Sequence, residues 1–287
     1  MENECEYISS RGILKSCNIH NISFASSDTH LELEQYSLIK ENDLVYVNNS
    51  AILDFFKYIL PDIKDRFILI SGDSDVSMPF EGFEDYIDNP KIIHWYSQNL
   101  TIIHPKISHL PIGLDYHTNT NERELHPWGW GSKPIIQESV LKSVIQKPLE
   151  DRYFACYVNF HFSEWGINQR GDRQECLAQV TKELCYFEPK YLERKATWDT
   201  MSQFVFVLCP HGGGLDTHRL WEALILGCIP IIKTSELDPL FEDLNVCIVN
   251  TWSDVNILRL TNHIAKMKPT NREKLTLKYW INKIKSI

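Results

Sequence analysis

Gly212, Gly213 and Gly214 stand in a row and are followed closely by Asp216, Thr217, His218, Arg219 and Glu222. Glycine reaches backbone conformations closed to other residues and lets the main chain approach a bound molecule. A helix starting after such a loop offers free N–H groups and the positive end of its dipole, which together attract an anion. Asp216 or Thr217 suits the cap of that helix. His218 and Glu222, four residues apart, share a helix face, and Arg219 lies about 100° round from His218. Leu220, Ala223 and Leu224 turn the other way, towards a core. A cation, an imidazole and a carboxylate thus gather beside anion-seeking amides, with His211 adjoining the loop on its other side. Such a set suits a phosphorylated ligand that carries a hydroxylated sugar.

Two more clusters could do chemistry. Asn168-Gln169-Arg170-Gly171-Asp172-Arg173 is a second passage from strand to helix. Arginine forks match diphosphate oxygens, so Arg170 and Arg173 are both candidates to hold them. Ser71-Gly72-Asp73-Ser74-Asp75 directly follows an apolar run. Asp75 or Asp73 there can serve as the base that takes a proton from an acceptor hydroxyl. The same Asp-Ser-Asp spacing suits a divalent ion beside a diphosphate, and it also suits a simple turn. His104 and His109 are further candidates for the base. The histidines of that region, His94, His104, His109 and His117, lack a compact ligand spacing, so a zinc site is not expected. There is no G-x-S-x-G and no G-x-x-x-x-G-K-[ST], and the three glycines lack dinucleotide spacing.

Strand and helix signals alternate along the chain, which favours α/β architecture with parallel sheets. In the first half, 44–47, 67–70 and 107–112 read as strands and 51–60 as a helix stopped by Pro61. The stretch 119–133 reads as a long loop, 134–146 as a helix and 147–151 as a linker. The second half reads as strands at 153–158, 204–208, 229–232 and 246–249. Helices are expected near 172–182, 192–202, 216–226, 239–244, 254–266 and 272–283. In open parallel sheets a ligand lies at the carboxyl ends of the strands, where the glycine loop falls.

The run from Pro210 to Pro230 resembles the signature region of exostosin-like glycosyltransferases. Pro210, Gly212, Thr217, Arg219, Glu222, Ala223, Gly227, Cys228, Ile229 and Pro230 occupy it, and Trp252-Ser253-Asp254 comes after the next strand as in that family. The resemblance implies a GT-B-like fold, two Rossmann-like domains with a central cleft. An N-terminal acceptor-side domain would span 1–148 and a C-terminal nucleotide-sugar-binding domain 149–287, the last helix packing back on the first. It implies an inverting transferase that moves a sugar from a nucleoside-diphosphate sugar, UDP-linked, to a glycan hydroxyl. Xylose and glucuronate are among the compatible sugars. Glu222 would hold the ribose. Arg219, with Arg170 or Arg173 and the amides near Gly213 and Gly214, would hold the diphosphate. Asp216, Thr217, His218 and His211 would line the donor site. No cofactor and no metal are expected on this reading. A metal-dependent D-x-D transferase and a silent sugar-nucleotide or glycan-binding module are the alternatives.

Composition narrows the classes. Of 287 residues 43% are hydrophobic and 23% charged, an ordinary globular balance. The net charge of −9 argues against non-specific nucleic-acid binding. No apolar run is long enough to span a membrane and the N-terminus lacks a secretory pattern, so a cytoplasmic protein is expected, unlike the anchored animal exostosins. The eight cysteines form no C-x-x-C and suit reduced, buried thiols.

Overall fold

The computed structural model describes residues 1–79, 82–120, 125–126, 129–160 and 171–287. Strands β1 (Leu44–Asn48), β2 (Phe67–Gly72), β3 (Ile92–Ser97) and β4 (Ile107–His109) form a parallel sheet in that order. A short antiparallel hairpin comes next, β5 (Leu125–His126) and β6 (Gly129–Trp130). The second parallel sheet holds β7 (Tyr153–Val158), β8 (Cys185–Phe187), β9 (Phe204–Leu208), β10 (Ile229–Lys233) and β11 (Cys247–Val249). Its spatial order is β8-β7-β9-β10-β11. This is the GT-B-like plan of two parallel α/β sheets expected from the sequence.

Near-continuous apolar runs such as FILI and FVFVL are what a strand covered on both faces requires. Because side chains alternate along a strand, each sheet sends its residues to two cores. Val45, Leu69 and Trp95 enter a core private to the first sheet, and Phe206, Leu208 and Ile231 one private to the second. Tyr46, Ile70 and Tyr96 of the first sheet share a third core with Val207, Trp221, Trp280 and Ile284. The halves therefore meet through a common apolar interior. The last helix, Leu277–Lys285, packs on the helix Ser10–Leu14. Its entry is tied by Ile8 N to Leu275 O at 3.0 Å and Leu277 N to Glu6 O at 2.8 Å.

Several elements differ from expectation. Strand β3 was not anticipated, because His94 and Tyr96 interrupt its apolar run. It forms between β2 and β4, with Trp95 Nε1 donating to Ser71 Oγ at 2.8 Å and His94 Nε2 set 2.9 Å from Ser108 Oγ. The helix expected at 51–60 is regular only over Ile52–Asp54 and widens into π-type turns over Phe55–Ile59. The expected strand 107–112 ends at His109. Among the described residues no helix is long and apolar enough to cross a membrane.

Candidate functional site

In the second sheet β7 and β9 are neighbours although β8 separates them in the chain. Connections leave in opposite directions at that point, and a crevice opens beyond the strands' carboxyl ends. The glycine loop comes after β9 there, and Asn159 after β7. The helix His218–Ile225 begins after the loop with Thr217 at its N-cap and no side-chain cap bond. A cavity of about 420 Å³ opens beside it, lined by Asn159, Phe187, Lys190, Tyr191, His218, Arg219 and Glu222.

Arg173 lies over the loop: a Cβ on Gly212 would stand 2.9 Å from its Nη2. Burial and the nearby Arg219 push the Arg173 guanidinium below its usual range, while Asp75 and Asp172 act the other way. Arg219 Nη1 donates to Asn159 Oδ1. Arg173 and Arg219 thus lie near one another beside the glycine loop, and guanidinium forks of this kind suit diphosphate oxygens. Glu222 is 6% exposed, and its Oε1 accepts from Arg194 Nη2 at 3.3 Å. Arg194 also donates to Gln137 Oε1 and to the carbonyl of Asp115. It thereby fixes Glu222 at the cavity wall, a role that sequence reasoning missed. Arg170 lies outside the described residues.

The other expected donor residues are placed differently. Asp216 is 3% exposed and accepts from Ile112 N at 2.8 Å, Thr217 N at 2.8 Å and Trp221 Nε1 at 2.9 Å. Burial pushes its carboxyl up to about 6. Its oxygens are engaged in joining the two halves, so it braces the site and does not face the cavity lining. His211 turns inward, with Nδ1 donating to Leu215 O at 2.7 Å. Its amide donates to Asp172 Oδ2 at 2.9 Å. Asp172 also accepts from Trp252 Nε1 and pairs with Lys233. Burial opposes its charge, yet Lys233, Trp252 and the His211 amide hold the carboxyl below its ordinary range.

The first half reaches the same place through the ends of its own strands. Asn99, just beyond β3, is fully buried and adopts φ 51°. Its Oδ1 accepts from Leu215 N and Asp216 N, both at 3.0 Å, while Nδ2 donates to Ser74 O at 3.0 Å. A Cβ on Gly214 would stand 2.9 Å from that amide nitrogen, which is why glycine is needed there. Gln98 plays a similar part: its Oε1 accepts from Asp73 N at 2.8 Å and its Nε2 donates to Pro111 O at 2.8 Å.

Asp73 and Asp75 face different neighbours. Asp73 is 4% exposed at φ 54°, and its carboxylate meets Ser26 Oγ at 3.2 Å and Arg11 Nε at 3.5 Å. Asp75 is exposed and reaches across to the glycine loop, where a Cβ on Gly213 would stand 2.7 Å from its Cγ. His104 and His109 line a separate cavity on the far side of β4. Asp115, His117 and His218 meet at the seam between the halves. Burial opposes the charge of Asp115, but His218, His117 and Arg194 hold its carboxyl well below the ordinary range.

No protein-family model matches the chain, and no curated protein matches it. Among solved structures it is similar to the E. coli trehalose-6-phosphate protein bound with UDP-2-fluoro glucose. The TM-score is 0.43 at 9% identity, over 89% of this chain and 76% of that one. It is also similar to an alpha1,3-fucosyltransferase, at TM-score 0.38 and 11% identity, over 90% of this chain and 84% of the other. A trehalose-6-phosphate synthase studied with bisubstrate glycomimetics aligns at TM-score 0.40 and 9% identity, covering 89% and 76%. These are loose likenesses, and the chemistry of the site rests on this chain's own residues.

Proposed function

We propose that the chain is a glycosyltransferase of the exostosin-like kind, taking a sugar from a UDP-sugar and passing it to a glycan hydroxyl with inversion. The observation that carries this reading is Arg173 over the glycine loop with Arg219 near it, at the crevice between β7 and β9, and Glu222 on the adjoining cavity wall. The guanidiniums and the uncapped helix start would take the leaving diphosphate, whose charge grows as the bond breaks. Glu222, steadied by Arg194, would accept from the ribose hydroxyls. Phe187 and Tyr191, 41% and 62% exposed, offer flat surfaces for the base.

In this reading Asp75 is the general base. It is exposed, comes from the acceptor side and reaches the loop over which the sugar's anomeric carbon would lie. Its neighbour Asp73 is drawn off by Arg11 and Ser26, so the two carboxylates do not converge on one point as a D-x-D ion site needs. Diphosphate binding would rely on side chains and backbone, without an ion bridging Asp73 and Asp75.

A thermal-shift panel of nucleotides and nucleotide sugars, run with and without chelator, tests the proposal. At 100 times its Kd a ligand adds about 2.7 kcal/mol of stability. UDP and UDP-sugars should stabilise the protein equally in EDTA, and release of UDP should accelerate when a glycan acceptor is added. A panel in which no nucleotide shifts the transition would sink the reading. Binding without any turnover would leave a sugar-nucleotide-binding module.

A further inference from the structure

Asp115 and His117 lie beyond β4, and His218 opens the helix after the glycine loop. One ligand-capable atom from each lies within 4.8 Å of the other two. Hydrogen bonding determines which nitrogen of each imidazole carries the proton. Gly113 O sits 2.7 Å from His218 Nδ1. A carbonyl only accepts, so Nδ1 holds the proton and Nε2 keeps a lone pair. The Ser26 hydroxyl gives its one proton to Asp73 Oδ1 at 3.2 Å and accepts from Arg11 Nη2 at 3.3 Å. Its contact with His117 Nε2 at 3.1 Å is therefore one in which the imidazole donates. That leaves the lone pair of His117 on Nδ1, which faces Asp115 Oδ1 at 3.1 Å. Two acceptors at that distance repel each other unless they share a cation.

We infer that Asp115, His117 and His218 form a binding site for a divalent transition-metal ion at the seam between the two halves. Two imidazoles and a carboxylate suit zinc, cobalt, nickel or ferrous iron better than magnesium or calcium. An ion about 2.1 Å from each of three tetrahedrally placed donors sets them roughly 3.4 Å apart. The Asp115–His117 spacing of 3.1 Å already approaches that value, and the His218 atom lies within 4.8 Å of both. Each ligand also has the outer support that metal sites use to orient their donors. Gly113 O holds His218, the Ser26–Asp73 pair holds His117, and Thr118 N donates to Asp115 Oδ1 at 2.9 Å. Three protein donors leave positions for an oxygen ligand, and His218 also lines the donor cavity. The site adjoins the cavity but is separate from the Arg173–Arg219 pair, so the inference stands whether or not the donor reading holds.

Cobalt(II) titrated into chelator-stripped protein is the test. One equivalent should bind with visible absorption bands, and zinc should displace it. His117→Ala should weaken cobalt binding at least tenfold and abolish the bands, while Ser26→Ala, acting through His117 Nε2, should have a smaller effect. UDP binding measured on the same samples reports on the donor site independently. The inference is overturned if the parent protein shows no bands, or if the His117→Ala protein shows the same ones. Nitrogen-15 spectra of metal-free protein would also overturn it by showing His117 as an imidazolium at neutral pH, its Nδ1 proton bonded to Asp115. Because the titration of the parent protein decides the matter alone, a variant that fails to fold does not rescue the inference.

Discussion

In the sheet β1–β4 spatial order matches chain order, whereas in the other sheet β7 and β9 lie side by side with β8 outside them. The first arrangement sends every connection the same way and leaves no crevice between strand ends. The second opens one, and the glycine loop, Asn159 and Arg173 meet there. The first sheet contributes through the loops at its strands' carboxyl ends: Asp73 and Asp75 after β2, Asn99 after β3, Asp115 and His117 after β4. One sheet thus supplies a pocket by its topology, and the other supplies the Asp75 carboxylate and bracing groups by the reach of its loops.

If that division holds, damage to the first sheet's loops should affect rate or assembly, and damage to the second should affect the donor. The largest effect is expected for Asp75→Asn, about 10²- to 10⁴-fold in transfer rate, the usual loss on removing a general base. UDP affinity should rise about two- to fivefold, because one carboxylate fewer stands beside the glycine loop and repulsion between exposed charges is about 0.5–1 kcal/mol. Parent-level transfer would move the base elsewhere. Falling UDP affinity would place Asp75 on the donor's side of the comparison.

Arg219→Ala should lower turnover about 10²- to 10³-fold with a smaller change in KM, since the arginine acts on charge that develops during reaction. A change confined to KM would make it a ground-state contact. Asn99→Ala should cost about 2–4 kcal/mol of stability, because it leaves the amides of Leu215 and Asp216 without their acceptor. Chemical denaturation measures this, and a loss below about 0.5 kcal/mol, the low end for a single hydrogen bond, would show that the halves are joined without it. Glu222→Ala should weaken UDP binding roughly tenfold or more while turnover at saturating donor stays close to the parent.

The smallest effect concerns pH. The Asp216 carboxyl is raised from 3.8 to about 6 in the folded protein. The folded state therefore holds its proton more tightly than the unfolded chain does. This contribution is complete below pH 3.8 and is lost as pH rises through about 6. In Asp216→Asn that part of the pH dependence should vanish from the unfolding free energy, and an unchanged slope would contradict the assigned burial cost.

The glycine loop and its helix were legible in the sequence because they are contiguous. Apolar strand, three glycines and a polar first turn lie within one short stretch, and local chemistry is enough to order them. Asn99 was not legible: its partners, Leu215 and Asp216, lie in the other half of the chain, and an Asn after a strand carries no sign of the loop that it will hold. The same applies to Arg194, whose partners are Gln137, Asp115 and Glu222, and to the trio at the seam. The histidine spacing gave no sign of that trio, because His218 comes from the far half. Asp216 stood at the right position for a donor contact, but only packing reveals that Ile112 and Trp221 take up its oxygens.

The core shared by Tyr46, Ile70, Tyr96, Trp280 and Ile284 bears on the order of events during synthesis. When β1 to β4 have left the ribosome, the face of their sheet that carries Tyr46, Ile70 and Tyr96 has Ile13 and Leu14 for company, but Val207, Trp221, Trp280 and Ile284 are still to be made. Until those residues arrive that face is covered only in part, and such apolar surface is prone to aggregation. A chain that stops just short of Leu277 would have made every residue of the glycine loop and the cavity, and Asn99 could still bond Leu215 and Asp216, but the shared core would lack Trp280 and Ile284.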